Sequence, residues 1–234
     1  YAGKIMLLSD EMESRLAEMS GEMRGPLLIG ACSTIAEYLL PPLLSEFNAL
    51  YPQVRACLII ANSENIERRV AEHTLDLGLI EASPKLAGMT SEICGSDELV
   101  VICAPDYPLA GTTSIAPKTL LDYEYISREP GSGTRDVTET YFRKHKIEPE
   151  SLKLQMELGS PEAVKSVVKL GLGFAIVSSL VVETEINNAS LLVIPLKPAL
   201  KRSLNLIYPQ DRFRSRLAST FIDFSKNKLR ELVA

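Results

Sequence analysis

The sequence predicts an α/β protein built from two doubly wound lobes, and three observations carry that prediction. Short apolar runs alternate with amphipathic helical stretches along the chain. The runs are continuous rather than alternating, as in strands covered on both faces. The rhythm stops at the proline-rich segment Ala104-Pro105-Asp106-Tyr107-Pro108-Leu109 and then restarts.

The elements follow in order. Residues 1–22 read as the end of an amphipathic helix that pairs with another, since Ile5, Met12 and Met19 recur every seven residues with Leu8 and Leu16 between them. Gly25-Pro26 breaks that pattern. Leu27–Ala31 is a buried strand ending in Cys32-Ser33-Thr34. Pro41 and Pro42 suit a first helical turn. Leu43, Leu44, Phe47, Leu50 and Tyr51 then share one helix face, and Pro52 stops the helix. Val54–Ile60 is a strand, and Ser63 caps the next helix, with Glu64 and Glu67 in its first turn. Asp76–Ile80 completes a β-α-β-α-β unit, in which ligands bind beyond the carboxyl ends of the strands. Ser91–Cys94 and Glu98–Ala104 read as two further strands.

The second lobe starts after the proline-rich exit. Thr119–Asp122 is a short helix and Tyr123–Ile126 a strand. Next comes Ser127-Arg128-Glu129-Pro130-Gly131-Ser132-Gly133-Thr134-Arg135, followed by a helix from Thr134 to Lys146. Leu154–Leu158 is a strand that runs into Gly159-Ser160-Pro161-Glu162, a strong helix start. That helix carries Val164, Val167 and Val168 and ends at Gly171. Phe174–Val177, a helix over Ser179–Glu185, and the strands Leu191–Ile194 and Ser203–Tyr208 follow. Leu217, Phe221 and Phe224 line a closing helix. The crossings between lobes fall near Val101–Ala104 and Asn205–Tyr208. Lobe I is read as 23–103 with 207–234, and lobe II as 104–206.

Composition narrows the function. The net charge of −5 argues against this segment itself gripping nucleic acid, because phosphate contacts need a basic surface. No apolar run approaches the roughly 18–20 residues of a membrane span. Asp10, Glu11, Glu13 and Glu18 interrupt the early apolar stretch, so no signal peptide is read there. The cysteines at 32, 57, 94 and 103 form no C-x-x-C and read as buried, reduced thiols, with a redox role for Cys32 as the alternative. His73 and His145 are too few and too separated to suggest a zinc site or a Ser–His triad. No G-K-S/T follows Gly133 and no G-x-G-x-x-G occurs, so an enzyme is not expected. Neither a metal nor a cofactor is expected.

The candidate site is a small-anion pocket. Helix N-termini favour negative charge. Gly131 and Gly133 allow close backbone approach, Ser132 and Thr134 add donors, and Arg128 and Arg135 flank the turn. The two arginines have a second reading, as salt bridges that hold the turn. Ser33, Thr34, Ser63 and Ser160 show the same chemistry at other strand ends, and the helix starts of the two lobes would face one another across a cleft.

The chain resembles the effector-binding domain of LysR-type transcriptional regulators. The resemblance rests on Leu40-Pro41-Pro42-Leu43-Leu44 with Phe47 and Tyr51-Pro52, Asp76–Ile80, Ala104–Leu109, and Gly159-Ser160 with Val164 and Gly171-Leu172-Gly173. Glu129–Arg135 looks most like the branches that regulate sulfur assimilation or carbon fixation. The resemblance implies two Rossmann-like lobes joined by two crossover strands, similar to type II periplasmic binding proteins, preceded by the end of a linker helix. It implies an N-terminal winged helix-turn-helix beyond this segment that binds promoter DNA. It also implies a cytoplasmic homodimer, commonly a tetramer at full length, with no membrane partner. Effector contacts carry over to Ser33, Thr34, Ser63, Ser132 and Thr134, and less uniformly to Ser160. A small anionic metabolite is the expected effector: sulfate, a sulfur metabolite, a phosphorylated sugar or a nucleotide. A solute-binding protein for a small anion is the alternative.

Overall fold

The structure, a computed structural model, describes residues 12, 23–210 and 214–232. Apart from Met12, the heptad at Ile5–Met19 and the linker helix over residues 1–22 lie outside the described residues.

A single nine-stranded sheet runs through the molecule. Strands β1 (Gly25–Ala31), β2 (Val54–Ile60) and β3 (Leu77–Ile80) are parallel, with β1 in the middle. Helix α1 (Leu40–Leu50) joins β1 to β2, and α2 (Ser63–Ala71) joins β2 to β3. The long strand β4 (Met89–Cys103) leads into lobe II. There β5 (Glu124–Arg128), α3 (Gly133–Lys144), β6 (Lys153–Leu158), α4 (Pro161–Lys169) and β7 (Phe174–Ser178) repeat the pattern, with β5 parallel to both β6 and β7. Short α5 (Glu183–Asn187) and β8 (Leu192–Ile194) follow, then β9 (Leu200–Pro209) and the closing α6 (Arg216–Leu232). The strand order is β2-β1-β3-β9-β4-β7-β5-β6, with β8 against β4.

Both faces of the sheet are covered in each lobe, which is why the strands read as unbroken apolar runs. On β7, Phe174 and Ile176 join Tyr125 and Phe142 on one face, while Ala175 and Val177 join Val164 and Val168 on the other. In lobe I, Leu27, Ile29 and Phe47 share a core with Phe221, and Ile66 and Val70 of α2 pack on the opposite face with Leu75 and Ile207. Phe47 and Phe221 meet edge to face at 4.9 Å, so α6 returns to lobe I. Burial of each such side chain contributes about 1.5–3 kcal/mol.

β4 and β9 cross from one lobe to the other side by side, paired antiparallel from Met89 with Pro209 to Leu99 with Leu200. Their side chains change cores along the way. Cys94 and Leu204 pack in lobe I, whereas Leu99 and Leu200 pack in lobe II.

Some local readings need correction. Ser91–Cys94 and Glu98–Ala104 are one strand, whose register shifts between Ile93 and Gly95. The polar Gly95-Ser96-Asp97 interval reads as a turn in sequence, but pairing with β9 carries the strand through it. Asn62, not Ser63, caps α2. Thr119–Asp122 is the end of a 3-10 turn over Pro117–Asp122. The helix read over Ser179–Glu185 is split into a 3-10 turn, Ser179–Val181, and α5. Cys57 is only partly buried; Cys32, Cys94 and Cys103 are buried, and all four thiols are free.

Candidate functional site

The carboxyl ends of the parallel strands in the two lobes point at one another, and the segments that follow them meet in three places. The first is the start of α2 against the Gly-rich turn. The Asn62 side chain accepts from Asn65 N at 3.1 Å and donates to Pro130 O at 3.3 Å. Glu64 N donates to Gly131 O at 3.2 Å. Gly131 has φ +83°, a conformation that favours glycine, and a Cβ there would lie 2.7 Å from Glu64 Oε2. A Cβ on Gly133 would lie 2.6 Å from Ser63 Oγ and 3.1 Å from Glu81 Cβ. Both glycines thus sit where the lobes touch, with little room for a side chain.

The second meeting place is a buried network on the crossing strands. Arg202 of β9 donates to Asp97 of β4 at 2.7 Å, to Glu81 at 2.6 Å and to the Thr134 hydroxyl at 2.8 Å. Thr134 Oγ1 in turn donates to Glu81 at 3.2 Å, and Ser178 Oγ donates to Asp97 at 2.9 Å. All of these side chains are buried. Burial alone would raise the pKa of Glu81, but the charge of Arg202, helped by Thr34, Arg128 and Thr134, outweighs it and holds the carboxyl below its ordinary value. At Asp97 burial wins, against Arg202 and Ser178, and the pKa is pushed up.

The third place is a polar bridge. Tyr38 donates to Glu162 at the start of α4, and Lys165 donates to the Tyr38 oxygen at 3.2 Å and to Val181 O at 2.7 Å. Burial would lower the Lys165 pKa, but hydrogen bonds with Glu162, Tyr38 and Glu185 hold the ammonium above its ordinary value. Lys165 stays charged, clamped between the lobes.

The residues singled out from sequence fall unequally on this arrangement. Ser63 and Gly133 face one another, and Thr34 and Thr134 both border Glu81. Ser33 and Ser132, next to them in the chain, are buried, and Ser132 Oγ makes no capping bond to α3. Ser160 is an ordinary cap, accepting from Ala163 N at 3.2 Å. Both arginines are engaged by carboxylates. Arg128 is paired with Glu129 at 2.8 Å, and Arg135 with Glu139 at 2.8 Å and with Glu157. Cys32 lies against Ser63 Oγ at 3.1 Å, and burial pushes its thiol up to about 12. Such a thiol is a poor nucleophile at neutral pH, which weighs against the redox reading.

The sequence reading missed Glu81, Asp97, Arg202, Tyr38 and Lys165. Two of these left a signal. Glu81 directly follows the apolar strand Leu77–Ile80, and Lys165 interrupts the apolar face made by Val164 and Val168. A charge in such a place needs a buried partner, although sequence does not say which.

Known proteins share this fold. The chain matches the LysR substrate-binding domain family over residues 20–230. It belongs to that family. The RuBisCO operon transcriptional regulator of Acidithiobacillus ferrooxidans is 32% identical over 210 residues, 89% of this chain and 67% of that protein. The transcriptional regulator CysL of Bacillus subtilis is 28% identical, over 88% of this chain and 69% of that protein. Among solved structures, the regulatory domain of Synechocystis CcmR in complex with 2-PG superposes with a TM-score of 0.82 at 28% identity, covering 90% of this chain and all of that one. The chain is thus a LysR-type regulatory, effector-binding domain of the type II periplasmic-binding-protein fold. Nothing in these likenesses supports the solute-binding alternative.

Proposed function

We propose that the domain senses a small, hydroxyl-bearing anionic metabolite between its lobes and reports it to an N-terminal DNA-binding domain as a change in lobe angle. The observation that carries this reading is the convergence of both lobes on Arg202. Glu81, with Thr34 beside it, reaches it from lobe I, and Thr134 reaches it from lobe II. A ligand touching Ser33, Thr34, Ser132 or Thr134 acts on the same groups that set how the lobes close. The CcmR regulatory domain, a relative at 28% identity, forms a complex with 2-PG, which supports a small-molecule effector. Because Arg128 and Arg135 are already paired, backbone N–H groups and hydroxyls, rather than a free arginine, are the anion's main partners.

The lobe assignment, 23–103 with 207–234 against 104–206, is refined in this proposal. The change of cores supports a pivot earlier on each strand, between Cys94 and Leu99 and between Leu200 and Leu204. The domain binds without chemistry, as its relatives' names as regulators support. It works in the cytoplasm as a homodimer, tetrameric at full length, and acts on promoter DNA through the N-terminal domain. The ligand shifts the population only if it binds one lobe angle better than the other.

Thermal unfolding against a panel of sulfate, phosphate and small phosphorylated or carboxylated acids tests this. A bound effector adds about 2.7 kcal/mol at a hundredfold excess over Kd. Ser132→Ala should abolish the shift without lowering the melting temperature of the free domain. The absence of a shift with every anion would remove the effector reading of this cleft.

A further inference from the structure

Tyr38 belongs to lobe I by sequence but not by packing. It sits in a π-helical turn, Ile35–Leu39, where Leu40 N donates to Ile35 O, five residues back. That turn directly follows Ser33 and Thr34. The Tyr38 ring packs on the lobe II core that holds Val164, Val168 and Val181. Leu180 of lobe II makes the reciprocal step and packs on the lobe I core that holds Leu39 and Phe47. Its turn is fixed to the crossing strands, since Leu180 N donates to Ser178 Oγ at 3.1 Å and Ser178 Oγ donates to Asp97. Lobe II keeps a socket ready for the phenol. Lys165 is held there by Glu162 at 2.8 Å, Val181 O at 2.7 Å and Glu185 at 3.2 Å, all within lobe II. The Tyr38 hydroxyl enters between the two charges, donating to Glu162 and accepting from Lys165 at 3.2 Å. The socket stays paired when Tyr38 leaves it, so the lobes can part here without stranding a buried charge.

We propose that Tyr38 is the positioning residue of lobe closure: its hydroxyl, seated between Glu162 and Lys165, holds the lobes at the closed angle, and the π-turn ties it to Ser33 and Thr34. A ligand at those two hydroxyls and the latch at Tyr38 act on one short turn. Loss of the phenol hydroxyl opens the cleft without removing any group proposed to touch the effector. That the closed angle is the ligand-binding one rests on the proposed effector cleft; the latch itself does not.

Amide hydrogen exchange on the whole 234-residue chain, with no ligand added, tests the latch. Glu64 N donates to Gly131 O across the lobes at 3.2 Å, at the other pair of helix starts, so its exchange reads the parting of the lobes. Tyr38→Phe keeps the ring on lobe II and removes only the hydroxyl. It should speed exchange at Glu64 by about tenfold or more, the effect of one hydrogen bond to a charged group. Amides in the ladder between β1 and β2 should exchange as in the parent, which separates opening from a loss of stability. Glu162→Ala should act in the same direction. Adding it to Tyr38→Phe should bring less than its effect alone, because both act through one contact. An unchanged Glu64 rate in Tyr38→Phe would overturn the inference. So would a speeding that the β1–β2 ladder shares, or effects of the two substitutions that simply add. Since no anion is present, the result does not depend on whether the cleft binds one.

Discussion

Helix α4 begins after Gly159-Ser160 and helix α3 after Gly131-Ser132, each just beyond the end of a parallel strand. At α4 the serine does what its local sequence suggests, accepting from Ala163 N, and a Cβ on Gly159 would meet nothing within 4 Å. At α3 the serine makes no cap bond, Gly133 is pressed against Ser63 and Glu81, and Thr134 is drawn into the Arg202 network. Similar residues serve a local purpose in one place and a contact between lobes in the other. The hydroxyl pattern alone does not separate the two, because Ser and Thr cap helices whether or not anything faces them.

The largest effect expected from disturbing the α3 side of this pair is at Arg202. Arg202→Met leaves Glu81 and Asp97 buried without their cation and should cost about 3–5 kcal/mol in urea unfolding. Adding Glu81→Gln and Asp97→Asn should recover much of it, because the desolvated charges are then gone. A loss under about 1 kcal/mol for the single variant would show that the network is solvated in solution.

The two glycines come next. Gly133→Ala should destabilise by about 1–3 kcal/mol or force the lobes apart, since its Cβ meets Glu81 atoms as well as the Ser63 hydroxyl. Gly159→Ala should be neutral or slightly stabilising, by less than about 1 kcal/mol, through loss of unfolded-chain entropy. Small-angle scattering would read the change in lobe angle, and equal behaviour of the two variants would dissolve the contrast.

The serines follow. Ser160→Ala should cost about 1 kcal/mol as a lost cap, whereas Ser132→Ala should stay within about 0.5 kcal/mol. Chemical denaturation distinguishes them; a costly Ser132→Ala would give that hydroxyl a structural duty.

The smallest effect sets surface pairs against the buried network. The hydrogen bond from Lys226, then that from Tyr208, holds Glu92 below its ordinary value of 4.5. A lowered acid pKa stabilises the fold above the unfolded value, and the gain is lost as pH falls through the folded value. Glu92→Gln should therefore cost no more than about 1 kcal/mol at pH 7. Its unfolding curve and that of the parent should converge below pH 4.5. A gap that persists in acid would point to packing instead of charge.

Much of the fold was legible in the chain. Pro41-Pro42, Ser160-Pro161 and the apolar runs at Leu27–Ala31, Leu77–Ile80 and Phe174–Val177 mark elements through local backbone sterics and through burial on both faces. The exact partition of strands was not. Gly95-Ser96-Asp97 looks like a turn, and only the ladder to β9 keeps it extended. The candidate site was legible as a set of helix starts, and Ser63, Gly133, Thr34 and Thr134 do come together. The role of the arginines was not, because Arg128 and Arg135 meet carboxylates at positions that no sequence spacing dictates except the one-turn step to Glu139.

The alternation of strands and helices, the proline-rich crossing, the family and the chemistry of the helix starts all follow from the order of the amino acids, because each depends on local propensity or on a short ordered pattern. That Glu81, Asp97 and Arg202, separated by up to 121 residues, share one buried site follows only from the folded chain. Arg202 lies on β9 and Glu81 just beyond the end of β3, strands that are neighbours only in the finished sheet. A charge is tolerable there only because folding delivers its partner to within hydrogen-bond distance as water is removed.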